Sequence, residues 1–328
     1  MYKSARSLIF TTFILAIGTC AVAQTSSPKD YPNRPVTMIV AAASGSSPDN
    51  IARQLSNELG TKWGQPVVIE NVAGLGGVLG TEKAGQREPD GYTILISTIG
   101  AMAVSSGLMT LPYDPVKDFE PVTLSMSMPN LLVVHPSVPV KTLEELIVYG
   151  KKNPNKLRYG HPGIGTTPHL SAELLKEMTG LPMQAIPYKS SAQMATDLLA
   201  GHYEVLFHNS SVMLPYVQGG KAQPLGVTSA ERLAIMSNVP TVAEAANIKG
   251  FAVYAWWGIY VPAGTPADIV TKLNTDITDA LKKPSIKNWV EKQGGIVGGG
   301  TPADLRDHQA QETRKWLGLI KSANIQAD

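Results

Sequence analysis

The sequence predicts an α/β protein of two lobes with a ligand cleft between them. Three observations carry this. Short β-rich apolar runs alternate with helical patterns from the first strand onward, and such alternation argues for parallel sheet covered by helices. Two segments, 119–135 and 251–261, read as extended for longer than a strand inside one lobe needs. Turns rich in Gly, Ser and Thr follow several strands, at the edge where open α/β sheets bind ligands.

The N-terminus carries Lys3 and Arg6, an apolar run over 8–18 too short to span a bilayer, and the A-x-A pattern Ala21-Val22-Ala23. Residues 1–23 therefore read as a secretory signal peptide, and the product as exported, most simply to the periplasm. Removing it takes away two basic residues and no acid, so the formal charge falls from +2 to zero. A neutral chain has no electrostatic footprint for nucleic acid. Cys20 is the only cysteine, which leaves the exported chain without disulfides. No later run approaches the ~20 apolar residues of a membrane helix.

Taken in order, 36–41 reads as a buried strand and 49–60 as a helix. Ser47 suits its N-cap, Pro48 the first turn and Asp49 the positive end of the helix dipole. A strand at 67–70, a helix at 78–86 and a strand at 93–97 complete the first set, and the stretch 119–135 crosses to the second lobe. There the patterns give a helix at 143–152, strands at 156–159, 184–187 and 203–207, and helices at 169–179 and 192–200. The extended stretch 251–261 crosses back, and helices at 267–282, 284–293 and 302–323 close the chain. The expected division is 24–125 with 252–328 for one lobe and 126–251 for the other.

Three loops are candidate ligand sites. Ala42, Ala43, Ser44, Gly45, Ser46 and Ser47 offer backbone N–H groups, hydroxyls and a helix N-terminus, which together bind an anion without a cationic side chain. "YGHPGIGTTPHL" repeats the arrangement with His161, Gly163, Gly165, Thr166 and Thr167, and "VLFHNSS" places His208 and Asn209 just past a third strand. One of the two tryptophans of the return crossing, assigned as Trp256, faces the ligand. The bland alternatives are ordinary strand-to-helix turns, solvated histidines and core aromatics.

Catalytic readings find less support. The first loop lacks the lysine of a Walker loop and the G-x-S-x-G of a nucleophile elbow, and "GLGGVLG" fails the dinucleotide fingerprint at Leu79. Six dispersed histidines without a cysteine partner make no metal-ligand spacing, so neither metal nor cofactor is expected. A secreted hydrolase has no motif behind it.

The chain also resembles a known family along nearly its whole exported length, through "YPNRPVTMIV", "GQPVVIENVAGLGG", "LPYDPVKDFEPVTL", "GIGTTPHLSAELL", "IPYKSSAQMATDLLAGHYEVLF" and "WWGIYVPAGTP". It is similar to the Bug solute-binding proteins of tripartite tricarboxylate transporters. The resemblance implies a two-lobed, type II-like periplasmic binding protein, monomeric and without catalytic activity. It would close on a small-molecule carboxylate and hand it to the membrane permease subunits. It also implies that backbone amides of the first two loops hold the carboxylate. The departures concern specificity. Where the family loop carries an aromatic, this chain has Ala42; a usual serine falls on His161, and a usual acid on His208. The extra room and lost negative charge favour a second carboxylate over an ammonium, hence an aromatic dicarboxylate such as terephthalate. Citrate-type or aliphatic dicarboxylates are the family default, and docking onto a membrane sensor is the alternative role.

Overall fold

The computed structural model describes residues 30–188 and 191–327, so the expected signal peptide lies outside the described residues. The fold is mixed α/β. Strand β1 (Val36–Val40) pairs in parallel with β2 (Val67–Asn71) and β3 (Thr93–Thr98), in register Val36 with Val67 and Thr37 with Thr93. Helices α1 (Ser47–Trp63) and α2 (Val78–Gly85) connect them. Strand β4 (Phe119–Val134) is the long extended stretch of the sequence. Its first part pairs antiparallel with β9 (Tyr254–Pro262), from Phe119 against Pro262 to Pro129 against Tyr254. From Asn130 onward it pairs instead with β7 (Val205–Asn209) and β8 (Gln223–Val227).

That change of partners makes β4 the bridge between two half-sheets. The second contains β5 (Arg158–His161), β6 (Gln184–Pro187) and β7, all parallel, with α3 (Leu143–Lys152), α4 (Thr167–Thr179), α5 (Ser191–Leu199), α6 (Ser210–Gln218) and α7 (Val242–Ala245) around them. The chain then returns through β9 to α8 (Ala267–Leu281), α9 (Pro284–Lys292), β10 (Ile296–Gly299) and α10 (Pro302–Ser322). The strand order is β2-β1-β3-β9-β4-β7-β5-β6, with β8 and β10 added on β4. At the changeover Asn130 is fully buried, its amide donates to Thr228 Oγ1 at 2.8 Å and its Nδ2 to Ser171 Oγ at 3.0 Å.

Apolar periodicity explains most of this. The burial of β1 and β3 is nearly continuous, as parallel strands covered on both faces require. One cluster packs α1 and α8 on the first half-sheet through Ile51, Leu55, Leu273 and Ile277; another packs Met194, Leu198 and Met213 on the second. The largest cluster spans both halves, from Ile39 and Leu95 to Leu132 and Tyr159, joined by Trp256 and by Trp316 of α10. Strands expected at 156–159 and 203–207 lie two residues further on, which places His161 and Asn209 inside β5 and β7. Strands β8 and β10 were not anticipated from the sequence.

Candidate functional site

A cavity of about 470 Å³ opens where the carboxyl ends of β3, β5 and β7 converge, with β9 as its floor. From the first half-sheet come Leu75, Gly76, Thr98, Ile99, Gly100, Ser105, Leu108 and Met109; from the second, the loop 162–168 with His208 and Asn209. Ala255 and Trp257 line it from β9. Its lining contains no Lys, Arg, Asp or Glu. A charged ligand here would be held by amides, hydroxyls and imidazole rather than by an ion pair.

The loop after β5 fits that task. Gly163 and Gly165 adopt φ of 145° and 77°, a region that glycine enters freely. The Thr166 amide and hydroxyl both donate to the Gly163 carbonyl, at 3.3 and 2.6 Å, which closes the turn ahead of α4. Among the described residues, the amides of Ile164, Gly165 and Thr167 enter no hydrogen bond. These are N–H groups at a helix N-terminus, where an anion is favoured. Gly163, Gly165, Thr166 and Thr167 line the cavity, as do His208 and Asn209.

The loop after β1 is built differently. Buried Asp49 accepts from the Gly45 amide at 2.7 Å, from Arg53 Nε at 3.0 Å and from Asn71 Nδ2 at 2.9 Å. Burial alone would raise its pKa, but these donors outweigh that and hold it below the ordinary range. The N-cap geometry belongs to Ser46, not Ser47 as expected, and the Ser46 hydroxyl donates to the Ala43 carbonyl at 2.5 Å instead of accepting from the helix. The aspartate in the first turn instead ties the preceding loop to the helix through the Gly45 amide, and no side chain caps the helix. Ala42, Ala43, Ser44, Gly45, Ser46 and Ser47 do not line the cavity in this structure.

Two further placements matter. Trp256 is fully buried, with its indole N–H 3.3 Å from Glu312 Oε2 and its ring edge-on to His308 at 5.0 Å. The tryptophan assignment is thus corrected. Successive strand residues face opposite ways, so Trp257 lines the cleft while Trp256 anchors α10. His161 is buried beneath the loop after β5, its ring centroid 4.8 Å from that of His169. Burial, then the neighbouring His161, pushes His169 down to about 4.

Sequence reading missed the wall formed by Thr98 to Met109, although "TIG" follows β3 as the other loops follow β5 and β7. Leu75 is another cavity residue it did not single out. It has φ of 49°, unusual for leucine, in a turn flanked by Gly74, Gly76 and Gly77 at positive φ. Thr98 Oγ1 donates to the Gly76 carbonyl at 2.5 Å and ties that turn to β3. Among the described residues no group of three or more His, Cys, Asp or Glu is placed to hold a metal. A larger groove, about 850 Å³, lies between 229–235 and the α9–β10 region, but it is lined by Glu231, Arg232, Lys287, Glu291 and Lys292 and lies away from the carboxyl ends of β3, β5 and β7, so the smaller cavity is the candidate site.

The model of the "Tripartite tricarboxylate transporter family receptor" matches residues 51–325. Protein BugT of Bordetella pertussis is 34% identical over 307 residues, which span 93% of this chain and 94% of that protein. Among solved structures, R. palustris Rpa4515 with adipate has a TM-score of 0.80 at 38% identity, with 90% of this chain and 99% of that one covered. MatC of Rhodopseudomonas palustris with bound malate has a TM-score of 0.75 at 30% identity, covering 88% and 100%. These matches extend over nearly the whole described fold, cleft included. The chain therefore belongs to the tripartite tricarboxylate transporter receptor family and is a substrate-binding receptor, not an enzyme.

Proposed function

We propose that this receptor captures a dicarboxylate with an apolar body, an aromatic acid such as terephthalate, in the periplasm and delivers it to the permease subunits of its transporter. The observation that carries the reading is the cavity itself. It joins uncommitted amides after β5 to walls of Leu75, Ile99, Leu108, Met109 and Trp257, with no charged side chain among them. One carboxylate sits on the amides, where charge-assisted hydrogen bonds are worth roughly 1.5–3 kcal/mol each. His208 and Asn209 meet the polar groups at the other end of the body. The two half-sheets form the cores of lobes 24–125 with 252–328 and 126–251, hinged at β4 and at the segment entering β9. Closure brings the loop 42–47 up to the ligand, which favours the closed state by the contacts it gains there. The receptor acts as a monomer after removal of residues 1–23.

A second reading is an aliphatic dicarboxylate. It is favoured by the adipate in the 38%-identical structure, whose ligand also pairs two carboxylates with an apolar body. Calorimetry on the exported chain with terephthalate, phthalate, benzoate, adipate, succinate, citrate and glutamate separates the two. Binding of terephthalate but not benzoate supports an aromatic site that needs both carboxylates. Binding of adipate or succinate alone moves the reading to aliphatic acids, and binding of glutamate alone overturns it.

A further inference from the structure

We infer that Leu108, seated on Gly165 across the cleft, sets the width of the cleft and thereby which ligand bodies it accepts. The ligand half of this inference rests on the dicarboxylate reading; the mechanical half does not. A Cβ added at Gly165 would stand 2.6 Å from Leu108 Cδ1 and 3.2 Å from Val104 Cγ1. The first half-sheet's wall therefore touches the second's anion loop at a residue with no side chain, and any larger residue there would hold the walls apart.

Leu108 is rigidly mounted. It follows a π-helical turn, Gly100–Val104, in which Ala101, Met102, Ala103 and Val104 are all buried; such turns are frequent at functional sites. Tyr113 Oη donates to the Ala101 carbonyl at 2.9 Å and Gln309 Nε2 to that of Met102 at 3.1 Å. A Cβ on Gly107 would meet Leu317 Cδ2 at 2.5 Å, so α10 backs the turn directly. The Leu108 amide donates to the Ser105 carbonyl at 3.0 Å. Its side chain thus presents a fixed apolar surface to the cavity. A ligand whose carboxylate lies on the amides next to Gly165 must run its body past that surface. A methylene chain or ring loses nothing there, whereas a hydroxyl or ammonium finds no partner on Leu108.

The test is a double-mutant cycle read by the distance between spin labels. Labels at Thr61→Cys and Lys152→Cys, both exposed and on opposite lobes, report the separation without other thiols once Cys20 is gone. In ligand-free protein Gly165→Ala should lengthen that distance, and adding Leu108→Ala should restore it. Gly163→Ala carries the same kind of backbone strain, but its Cβ meets only Thr166 Cγ2 at 3.7 Å, so it should leave the distance unchanged. No lengthening in Gly165→Ala, or no restoration by Leu108→Ala, overturns the inference. In the ligand arm, Leu108→Ala should change the ratio of adipate to terephthalate affinity by about tenfold, the effect of missing methylenes in an apolar pocket. An unchanged ratio removes Leu108 from specificity. If the wild type binds neither acid the dicarboxylate reading fails, while the distances still decide the seat.

Discussion

The adjacent tryptophans show how one position along a strand separates structure from function. Trp256 and Trp257 occupy the same strand and differ by one step of the pleat. Trp256 joins the core and gives its N–H to Glu312, which also accepts from Trp316 Nε1 at 2.9 Å. Trp257 pairs with Thr98 of β3 and faces the cavity. Truncation should therefore give opposite phenotypes. Trp256→Ala removes a fully buried aromatic and is expected to cost about 3–5 kcal/mol of stability. Trp257→Ala, on the cleft floor, should cost less stability and lose most of the ligand affinity. Urea unfolding and calorimetry on the two variants check this; equal stability losses would contradict the assignment. The sequence marks the pair as strand residues but not their phase, because both are aromatic and both neighbours are apolar.

Helices and strands were readable where apolar periodicity met a clear stop, as for α3 between Thr142, whose hydroxyl accepts from the Glu145 amide, and Asn153. They were unreadable where a short strand lacks that pattern. β10 is Ile-Val-Gly-Gly and gains its place from pairing with β4, and β8 contains a proline. The loop after β5 was read from its glycines, whereas the wall at Thr98–Met109 depends on a π-helical turn with no sequence signature of its own. Glycines inside helices illustrate the same limit, since identical residues serve different ends. A Cβ at Gly60 of α1 would meet only the Gln65 carbonyl oxygen at 3.6 Å, an ordinary contact. At Gly80 of α2 it would stand 2.6 Å from Ala41 Cα and 2.7 Å from the Val72 carbonyl oxygen. Replacing a helical glycine by alanine gains up to about 1 kcal/mol from propensity, while overpacking costs about 1–3 kcal/mol. Because the atoms crowding Gly80 are largely backbone and cannot rotate away, Gly80→Ala should lower stability and Gly60→Ala should raise it. Denaturant midpoints with unchanged slopes would verify both signs. A stabilised Gly80→Ala would mean that α2 is not pressed against the end of β1.

For the molecule as a whole, the buried ionisable groups fix how the fold answers acid. His169, in the first turn of α4, packs on the second half-sheet beside His161 and Tyr159 of β5, with Glu173 and Lys176 on its own helix. Its folded pKa of about 4 stands below the unfolded value of 6.5, mainly through burial. Between these values the unfolded chain binds a proton that the folded chain refuses, so stability falls as pH drops from about 6.5 to about 4. The difference corresponds to roughly 3 kcal/mol. His308, also lowered by burial though opposed by Glu312, adds to the same slope. A separate stage comes lower. Asp49 and Asp276 are buried, yet the donors Arg53, Gly45 and Asn71 around the first, and Lys62, Trp63 and Lys272 around the second, hold both below 3.8. Their stabilisation is present above that value and is lost as pH falls through their folded pKa values. Unfolding free energies measured from pH 7.5 to 4.5 should thus decline before any carboxylate of this kind titrates. His169→Gln should flatten the decline without abolishing it, because His308 remains. The comparison uses slopes, since the variant also changes ring packing and hence absolute stability. An unaltered slope would show that His169 does not carry the transition, and a slope lost entirely would remove His308 from it. His169 sits in the first turn of α4, the helix whose N-terminal amides line the cleft, so amide exchange followed over the same pH range would show whether acid loosens the anion loop before the rest of the molecule. Ligand at about 100 times its Kd adds about 2.7 kcal/mol to the folded state, comparable with the loss from His169. A saturating dicarboxylate should therefore offset the part of that loss that falls above about pH 5.5, where its own carboxylates are still ionised.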